Sequence, residues 1–418
     1  MSYNRIDSDD IVNTVFKYAI ILSPAIIYFS FVEFYGINLP RTDDFYAILD
    51  FLNNFKKAGV TEKLSLLFSQ HNEHRIFSAR IVYVAYYFIF DSINFKYIMY
   101  IDAALLLGIF YVFINFSKKI LPEIFPVISF LFGLCLFDLT NFENAIFSMA
   151  GMTNYGIILL FIASLYFYSS HNEKMIPLAA LLQTVCVFSS GNGNIASLFI
   201  LIFTILNKDR IKIIVAAIIF IVCGILYYYH YVHLETLSGS SFTTMPSKFI
   251  PYFLHAIGSH FSYEFGVVSG VILLLLVALL FPVQKSLVIK KEALPFICIV
   301  GFIIASMAVM AIYRGNLPVS LSYSSRYQIY SHMLVPIIVI FALLKFPDKV
   351  RIICVGSTIL LIYMYTINYS EGKICFEGFT NGLKFTDYGY DDKAAAKKIA
   401  DESCRLGIYC IDSARKKL

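Results

Sequence analysis

Two adjacent carboxylates, Asp43 and Asp44, follow the first apolar stretch of a chain that is otherwise mostly apolar. A carboxylate at a membrane surface can take a proton from a hydroxyl when neighbouring acids or partial burial raise its pKa toward the working pH. The pair is therefore the candidate catalytic group, and in an extended chain only one of its members would face a cleft. The alternative is a structural role, in which Thr42 or Asp43 caps a helix over residues 44–57.

A denser polar cluster over residues 71–75 contributes His71, Glu73, His74 and Arg75. Two imidazoles three positions apart can share a helix face, and Glu73 and Arg75 can pair across a turn or reach an anion. We predict that these side chains bind the phosphate or the sugar of a donor. A metal is one alternative, because His-x-x-His beside a carboxylate supplies ligands, although the interval differs from that of zinc proteases. A solvated cap on the helix that follows is the other.

Further polar residues interrupt the later apolar segments and complete the predicted donor site. They are Glu143, Asn144, Asn192, Arg326 and Tyr327. Each has a structural alternative: a solvated turn for residues 141–144, a glycine-rich hairpin for residues 189–194, and snorkelling to the membrane surface for Arg326. Broken helices of the kind predicted at 189–194 build anion or substrate sites in transporters.

The composition sets the class of protein that must position these residues. Of the 418 residues, 59% are hydrophobic and 15% are charged, and the mean hydropathy is +0.72. We therefore predict an all-α polytopic membrane protein, with a membrane domain over residues 1–370 and a small external tail over 371–418. The first apolar segment is expected to be a retained span, because no signal-peptide pattern precedes it. A net charge of +5, spread between apolar segments, argues against nucleic acid as a partner.

The apolar segments predict about eleven transmembrane helices. Residues 175–206 are divided by Ser-Ser-Gly-Asn-Gly-Asn into two short spans or a broken re-entrant pair. The single runs lie near residues 17–37, 97–116, 120–138, 153–170, 211–232, 265–283, 293–312, 328–345 and 350–368. In residues 76–92, Arg80 leaves only ten uninterrupted apolar residues, so we predict a helix that lies flat in the membrane interface.

The distribution of Lys and Arg predicts the orientation in the membrane. One set of connectors holds twelve of these residues and the alternating set holds three. The basic set is therefore predicted to face the cytoplasm, which puts residues 38–96 (the first connector), the other polar clusters and the tail on the outer face. In an oxidising compartment Cys404 and Cys410 could form a disulfide, and residues 391–405 are predicted to form an amphipathic helix that caps the outer surface.

These motifs resemble those of the GT-C class of integral-membrane glycosyltransferases, particularly bacterial enzymes that use a polyprenyl-phosphate sugar donor. The resemblance rests on Asp43 and Asp44 in the first connector and on residues 71–75 before an interfacial helix. Asn-Phe-Glu-Asn (141–144) and Ser-Arg-Tyr (325–327) look like further outer-face motifs of this class. The similarity covers the architecture of most of residues 15–370, without the sizeable soluble C-terminal domain of the oligosaccharyltransferase branch.

The resemblance implies a GT-C-like fold in the bacterial inner membrane, with an active site that faces the periplasm. Asp43 or Asp44 would deprotonate an acceptor hydroxyl, which would attack the anomeric carbon with inversion. Arg75, His74 and Arg326 would neutralise the leaving lipid phosphate. The sugar is expected to be a hexose such as glucose and the acceptor a surface glycan such as lipopolysaccharide O-antigen. No cofactor is implied, and a divalent metal is not favoured.

Two other functions are compatible with the sequence. An O-antigen polymerase is also polytopic and rich in Phe and Tyr, but such proteins usually carry Arg and His in a large later external loop. Here the polar density lies in the first connector. A lipid-sugar transporter or flippase would carry charged residues within its spans, where Asp102 is the clearest acid.

Overall fold

The computed structural model describes residues 8–232, 246–261, 263–281, 291–385 and 392–415. Within these ranges the chain is helical, apart from a two-stranded hairpin in the first connector. Long apolar helices recur along it. The predicted all-α class is therefore confirmed, and the length and composition of these helices support a polytopic membrane protein.

The first half of the chain contains eleven of the described helices, and the hairpin lies among them. They are α1 (Ser8–Tyr35), α2 (Phe51–Lys57), α3 (Val60–Phe68), α4 (Phe77–Phe90), α5 (Phe95–Ile120), α6 (Phe125–Leu136), α7 (Phe142–Ile146), α8 (Ser148–Tyr168), α9 (Ile176–Val187), α10 (Gly193–Asn207) and α11 (Arg210–Tyr228). The strands are β1 (Gln70–His71) and β2 (His74–Arg75), and a π-helical turn (Phe45–Asp50) leads into α2.

The remaining described helices follow residue 245. They are α12 (Pro246–Ile257), α13 (Gly266–Leu280), α14 (Leu294–Arg314), α15 (Ser325–Lys345), α16 (Val350–Phe385), α17 (Lys393–Arg405) and α18 (Ile411–Arg415). Short 3-10 turns connect several elements: Leu139–Asn141, Glu173–Met175, Lys291–Ala293, Val319–Tyr323 and Pro347–Lys349.

Seven of the described helices are long and apolar enough to cross a membrane. An eighth span would be α6 together with residues 139–146, which bend away from it by 41°. Each predicted apolar segment contains a helix, but α9, α10 and α13 have 12 to 15 residues. At 1.5 Å per residue they are about 18–23 Å long, against about 30 Å of hydrocarbon. The count of eleven therefore stays a prediction.

The first connector folds into short elements that pack on the bundle. Its helix α4 matches the predicted helix over 76–92, and its 14 residues extend about 21 Å. Arg80 points inward, where its guanidinium donates to the Leu66 carbonyl (2.7 Å) and to the Ser69 hydroxyl (2.8 Å). At the far end of α4, Phe88 and Phe90 are exposed, as a helix that meets lipid headgroups requires. That α4 lies flat in the interface stays a prediction.

The C-terminal segment packs against the first connector. Asn53 of α2 donates to the Ile399 carbonyl of α17 (3.2 Å) and accepts from the Ser403 hydroxyl (3.0 Å). The predicted helix over 391–405 and the Cys404–Cys410 disulfide are both present. Helix α16 continues through the predicted domain boundary at residue 370 without a break. Its 36 residues extend about 54 Å.

Four of the five lysine-rich connectors line a cleft of about 900 Å³. Its lining includes Lys119 at the last turn of α5, Lys212 in the first turn of α11, and Lys208 and Lys291. Since the first connector lies at the opposite end of α5, the lysines and the polar residues of the first connector occupy different ends of the bundle. This separation agrees with the prediction that the basic connectors and the first connector face opposite sides of the membrane.

Candidate functional site

The His71–Arg75 segment forms a β-hairpin, whereas the sequence spacing suggested a shared helix face. Asn72 adopts a left-handed backbone conformation (φ 47°) that closes a two-residue turn with Glu73. Asparagine tolerates this conformation because its short amide bonds to nearby backbone. Pairing of β1 with β2 sets His71 directly opposite His74. The two imidazoles are therefore neighbours through strand register.

His74 packs against the break between α9 and α10. A Cβ atom on Gly191 would lie 2.6 Å from the His74 Nδ1, so only glycine leaves room for the ring. This explains one glycine of the 189–194 segment. Burial lowers the pKa of both His71 and His74 to about 4, because removal from water disfavours the charged imidazole. His74 is therefore neutral near pH 7, and its predicted role as a cationic partner of phosphate is not supported.

Asp44 is fully buried and binds backbone. Its Oδ1 accepts from the Met149 amide (2.9 Å) at the start of α8, and its Oδ2 accepts from the Arg41 amide (3.0 Å). Burial raises the pKa of the carboxyl to about 8, although these two hydrogen bonds oppose the shift. Asp44 therefore caps α8, whereas the structural alternative had Thr42 or Asp43 capping a helix over residues 44–57.

Asp43 differs from its neighbour in both exposure and contacts. It is partly exposed, and within the described ranges its carboxylate has no hydrogen bond or ion pair. It lies within electrostatic range of His71, His74 and Arg326. The preceding Thr42 has φ 38°, a strained conformation for a β-branched residue, and such strain is concentrated at functional sites. Asp43 is therefore the accessible carboxylate of the pair.

Glu143 and Asn144 join α7 to the start of α15. The Glu143 Oε2 accepts from the Ser324 hydroxyl (3.0 Å) and from the Arg326 amide (3.2 Å). The Asn144 side chain donates to the Arg326 carbonyl (3.0 Å). A carboxylate at a helix N-terminus satisfies free amides and complements the helix dipole. These two side chains therefore position Arg326, and Glu143 is not a solvated turn residue.

Arg326 lies beside a second cation that the sequence interpretation left out of the site. The guanidinium carbons of Arg314 and Arg326 lie 5.1 and 5.6 Å from the centre of the Tyr327 ring. Arg314 also acts electrostatically on His74. Arg41 lies near Glu143, and burial lowers its pKa to about 10. The sequence gives no sign that Arg314 belongs to the site, because Arg314 ends one helix, Arg326 begins the next, and only the tertiary structure brings them together.

Arg75 is directed toward backbone, although it was predicted to bind the donor phosphate. Its Nε donates to the Tyr227 carbonyl (2.8 Å), its Nη2 donates to the Tyr229 carbonyl (2.7 Å), and its Nη1 donates to the Phe68 carbonyl. The guanidinium therefore satisfies carbonyls at the end of α11, which that helix cannot satisfy itself. This geometry gives Arg75 a structural role.

The other predicted residues lie at the margins of the site. Asn192 donates to the Tyr330 hydroxyl (3.0 Å) and so ties the α9–α10 break to α15. The backbone carbonyl of Glu73 accepts from the Tyr231 hydroxyl (2.8 Å). Both contacts hold connectors together, and neither residue binds Asp43.

A separate group of possible metal ligands was not predicted. Among the described residues, Asp138, His260 and His332 form the one group of three His, Cys, Asp or Glu side chains whose ligand atoms converge, all within 4.8 Å of one another. The His71–His74 segment forms no such group. An imidazole inside an apolar run, as at His332, is costly in a membrane unless it is paired or used, and this signal could have identified it.

The sequence matches no protein-family model, and no match was found among curated proteins or among solved structures.

Proposed function

We propose that the protein is a membrane glycosyltransferase that moves a hexose from a polyprenyl-phosphate donor to a surface glycan. The observation that carries the proposal is the environment of Asp43: an accessible carboxylate without a hydrogen bond in the described part of the chain, near two neutral imidazoles and Arg326. General base, hydrogen-bonding groups and phosphate-binding cations are what such a transfer requires. The likeness of these motifs to the GT-C class supports the same function.

In the proposed reaction Asp43 takes the proton of the acceptor hydroxyl. The hydroxyl oxygen forms the new bond to the anomeric carbon as the bond to the phosphate oxygen breaks, so the configuration inverts. The electron pair of the broken bond stays on the lipid phosphate. Arg326 and Arg314 neutralise that charge, because guanidinium groups bind phosphate oxygens strongly. His71 and His74, being neutral, would donate or accept hydrogen bonds from the sugar.

Asp44 is assigned a positioning role. Its two hydrogen bonds hold the Arg41–Asp44 turn against the start of α8, and a fully buried carboxylate cannot reach an acceptor in solution. It therefore fixes the backbone from which Asp43 projects. The burial of Asp44 therefore favours Asp43 as the base, where the sequence left the two aspartates as equal candidates.

A lipid-linked donor needs an apolar surface for its chain. Helices α1 and α5, which flank the first connector, form an open groove of about 590 Å³. Its lining includes Ala25, Phe29, Phe34 and Leu107, with Glu33 at its polar end. We propose that this groove faces the prenyl chain, at the outer leaflet of a bacterial inner membrane, with the reaction on the periplasmic side.

Mass analysis of the surface glycan tests the proposal. Cells that carry the wild-type gene, no gene or the Asp43→Asn variant are compared, with membrane levels of the protein matched. An added hexose that depends on Asp43 supports the transferase. A change in chain length instead would indicate a polymerase, and an unaltered glycan with all levels matched would contradict glycosyl transfer to that acceptor.

A transporter of lipid-linked sugar is the second candidate, because of Asp102. This acid is fully buried in α5, and neither carboxylate oxygen has a hydrogen-bond partner in the part of the chain that the structure describes. Unpaired acids within spans are typical of proton-coupled carriers. Purified protein in liposomes discriminates the two, since a carrier moves the lipid-linked sugar between leaflets without acceptor, whereas a transferase consumes it only when acceptor is present.

A further inference from the structure

Three distant parts of the chain bring a carboxylate and two imidazoles together inside the bundle. Asp138 lies in the break after α6, His260 lies in the loop after α12, and His332 lies two turns into α15. All three are at most 2% exposed. Their ligand atoms lie within 4.8 Å of one another. Such burial distinguishes the group from acidic clusters on a surface, which are common and carry no implication.

His260 is the residue whose environment calls for a ligand. Neither of its ring nitrogens has a hydrogen-bond partner among the residues that the structure describes. A buried imidazole carries one donor and one acceptor, and leaving both unmade is strongly destabilising. Its ring lies edge to face against His332, with centroids 4.8 Å apart. A cation between the rings would take a lone pair from each and so satisfy the acceptor nitrogen of His260.

The backbone around His260 is held firmly enough to present the ring. A Cβ atom on Gly270 would lie 1.9 Å from the Leu254 carbonyl oxygen, and one on Gly258 would lie 2.0 Å from the Gly266 carbonyl oxygen. Glycine at these positions lets α12 and α13 approach closely. The His260 amide then donates to the Ser331 hydroxyl (3.1 Å), which is next to His332. The loop is thus fixed to the helix that carries the second imidazole.

The partners of Asp138 and His332 also suit a metal site. Asp138 Oδ1 accepts from the Thr140 amide and hydroxyl (2.9 and 2.7 Å), and Oδ2 accepts from Asn368 (2.7 Å). These donors favour the ionised carboxylate that a metal binds. The His332 Nδ1 lies 2.9 Å from the Asn141 amide group. With the Asn141 oxygen turned toward it, Nδ1 donates. Nε2 lies 3.4 Å from the Thr140 hydroxyl oxygen, whose proton is donated to Asp138, so the Nε2 lone pair can coordinate, the arrangement found around metal-bound histidines.

We propose that Asp138, His260 and His332 bind a divalent transition metal of the zinc class. Two imidazole nitrogens with one carboxylate oxygen form a ligand set that zinc uses, with a fourth position left for water. Magnesium and calcium prefer oxygen ligands throughout. The metal would tie α6, α15 and the loop after α12 together. This inference does not rest on the proposed function, because the group shares no residue with the Asp43 site.

Metal content of the full-length protein tests the site. The protein is purified in detergent without a polyhistidine tag, and its metal is removed with a chelator. It is then reconstituted with Zn²⁺ and desalted, and the bound zinc is measured by elemental mass spectrometry. We expect about one zinc per chain in the wild type and less than about a tenth of that in His260→Ala and in His332→Ala. His255→Ala is the matched control, since both His255 nitrogens are already bonded, to Tyr263 O and Ser322 Oγ, each at 2.8 Å.

Two results would overturn the proposal. One is a wild-type protein that retains no zinc after reconstitution; the other is equal zinc in all four proteins, which would locate it elsewhere. Co²⁺ added to stripped wild-type protein gives a measurement independent of any variant that misfolds. The visible absorption of tetrahedral Co²⁺, lost on addition of Zn²⁺, is expected, and a spectrum identical to that of Co²⁺ in buffer would contradict the site.

Discussion

The Asp43 site and the Asp138 group are built in opposite ways. The Asp43 site lies on connectors, and its central carboxylate is partly exposed and without a hydrogen bond in the described ranges. The Asp138 group is buried in the bundle, and its carboxylate is surrounded by donors. A carboxylate that exchanges protons needs access to its substrate, whereas a buried one must be compensated by partners. Exposure therefore separates a proposed reactive site from a proposed binding site.

The largest effect that would test this contrast is expected from Asp43→Asn. The amide cannot accept the acceptor proton, so transfer should fall by about 10²- to 10⁴-fold, the usual contribution of a general base. The substitution keeps the shape of the side chain, and the zinc content of the protein should not change. Rates are measured with purified protein, a synthetic lipid-linked sugar and acceptor glycan.

Asp91→Asn is the control for that variant. Asp91 is exposed in the same connector and has a left-handed backbone (φ 54°) that asparagine also tolerates. It should retain wild-type activity. If Asp43→Asn is as active as Asp91→Asn, the general-base proposal fails, and the exposure of Asp43 has no catalytic meaning.

Next in size is the effect of removing a cation from the Asp43 site. Arg326→Gln and Arg314→Gln should each lower transfer by about 10²-fold, because each loses charge stabilisation at the leaving phosphate. Arg351→Gln, which removes an exposed cation at the start of α16, is the control. Normal rates in both site variants, measured at several donor concentrations, would show that phosphate binds elsewhere.

The sequence predicts the Asp43 site better than the Asp138 group because of how each is assembled. Asp43, His71 and His74 lie in one connector, and composition and charge alternation were enough to bring Glu143 and Arg326 to the same face. The hairpin was missed because Asn72 sets a turn that the three-residue spacing of the histidines does not reveal. The role of Arg75 was missed since its carbonyl partners at the end of α11 are distant in sequence.

The Asp138 group shows the limit more sharply. Asp138 ends an apolar run and His332 interrupts another, but neither pattern says that the two meet or that His260 joins them. That depends on helix packing, including the close approach at Gly258 and Gly270. Helix lengths were similarly hard to predict: the break in residues 175–206 was predicted, but the apolar run over residues 350–368 does not reveal that α16 continues to Phe385.

A smaller effect on activity is expected from His260→Ala. The Asp138 group contacts the Asp43 site indirectly, through the Ser325 hydroxyl that donates to the Thr140 carbonyl (2.5 Å) beside Glu143. Loss of the metal should therefore loosen the start of α15 and lower transfer by less than about tenfold. Because this effect acts through the start of α15, where Arg326 also lies, the loss in the double variant with Arg326→Gln should be smaller than the product of the two single losses.

The single variant His260→Ala also gives the result that would break the comparison. If His260→Ala alone, correctly folded by size-exclusion and thermal criteria, removes activity as completely as Asp43→Asn, the two groups act as one catalytic unit. His255→Ala again serves as the control, because it removes a buried imidazole from the adjoining helix α12, where both ring nitrogens bond to residues outside the Asp138 group.

The smallest effect concerns the pH dependence of stability at Asp44. Burial raises its pKa to about 8 in the folded protein, against about 4 in an unfolded chain, so the folded state binds more protons between those pH values. The contribution of this shift to the free energy of unfolding is therefore fully present below about pH 4 and is lost as pH rises through 8. Asp44→Asn lacks this titration. Between pH 6 and pH 9 the midpoint temperature of unfolding of the wild type should fall relative to that of the variant by about 2–5 °C.

Thermal unfolding in detergent, with exposed Asp401→Asn as the control, measures that difference. The control and the wild type should follow parallel curves, because an exposed carboxylate is hydrated in both states. If Asp44→Asn is parallel as well, its carboxyl is not desolvated, and the assignment of adjacent residues to different roles loses its physical basis. If the Asp44→Asn curve diverges as expected, one difference in hydration accounts for both roles. The buried Asp44 holds the turn, and the accessible Asp43 reacts.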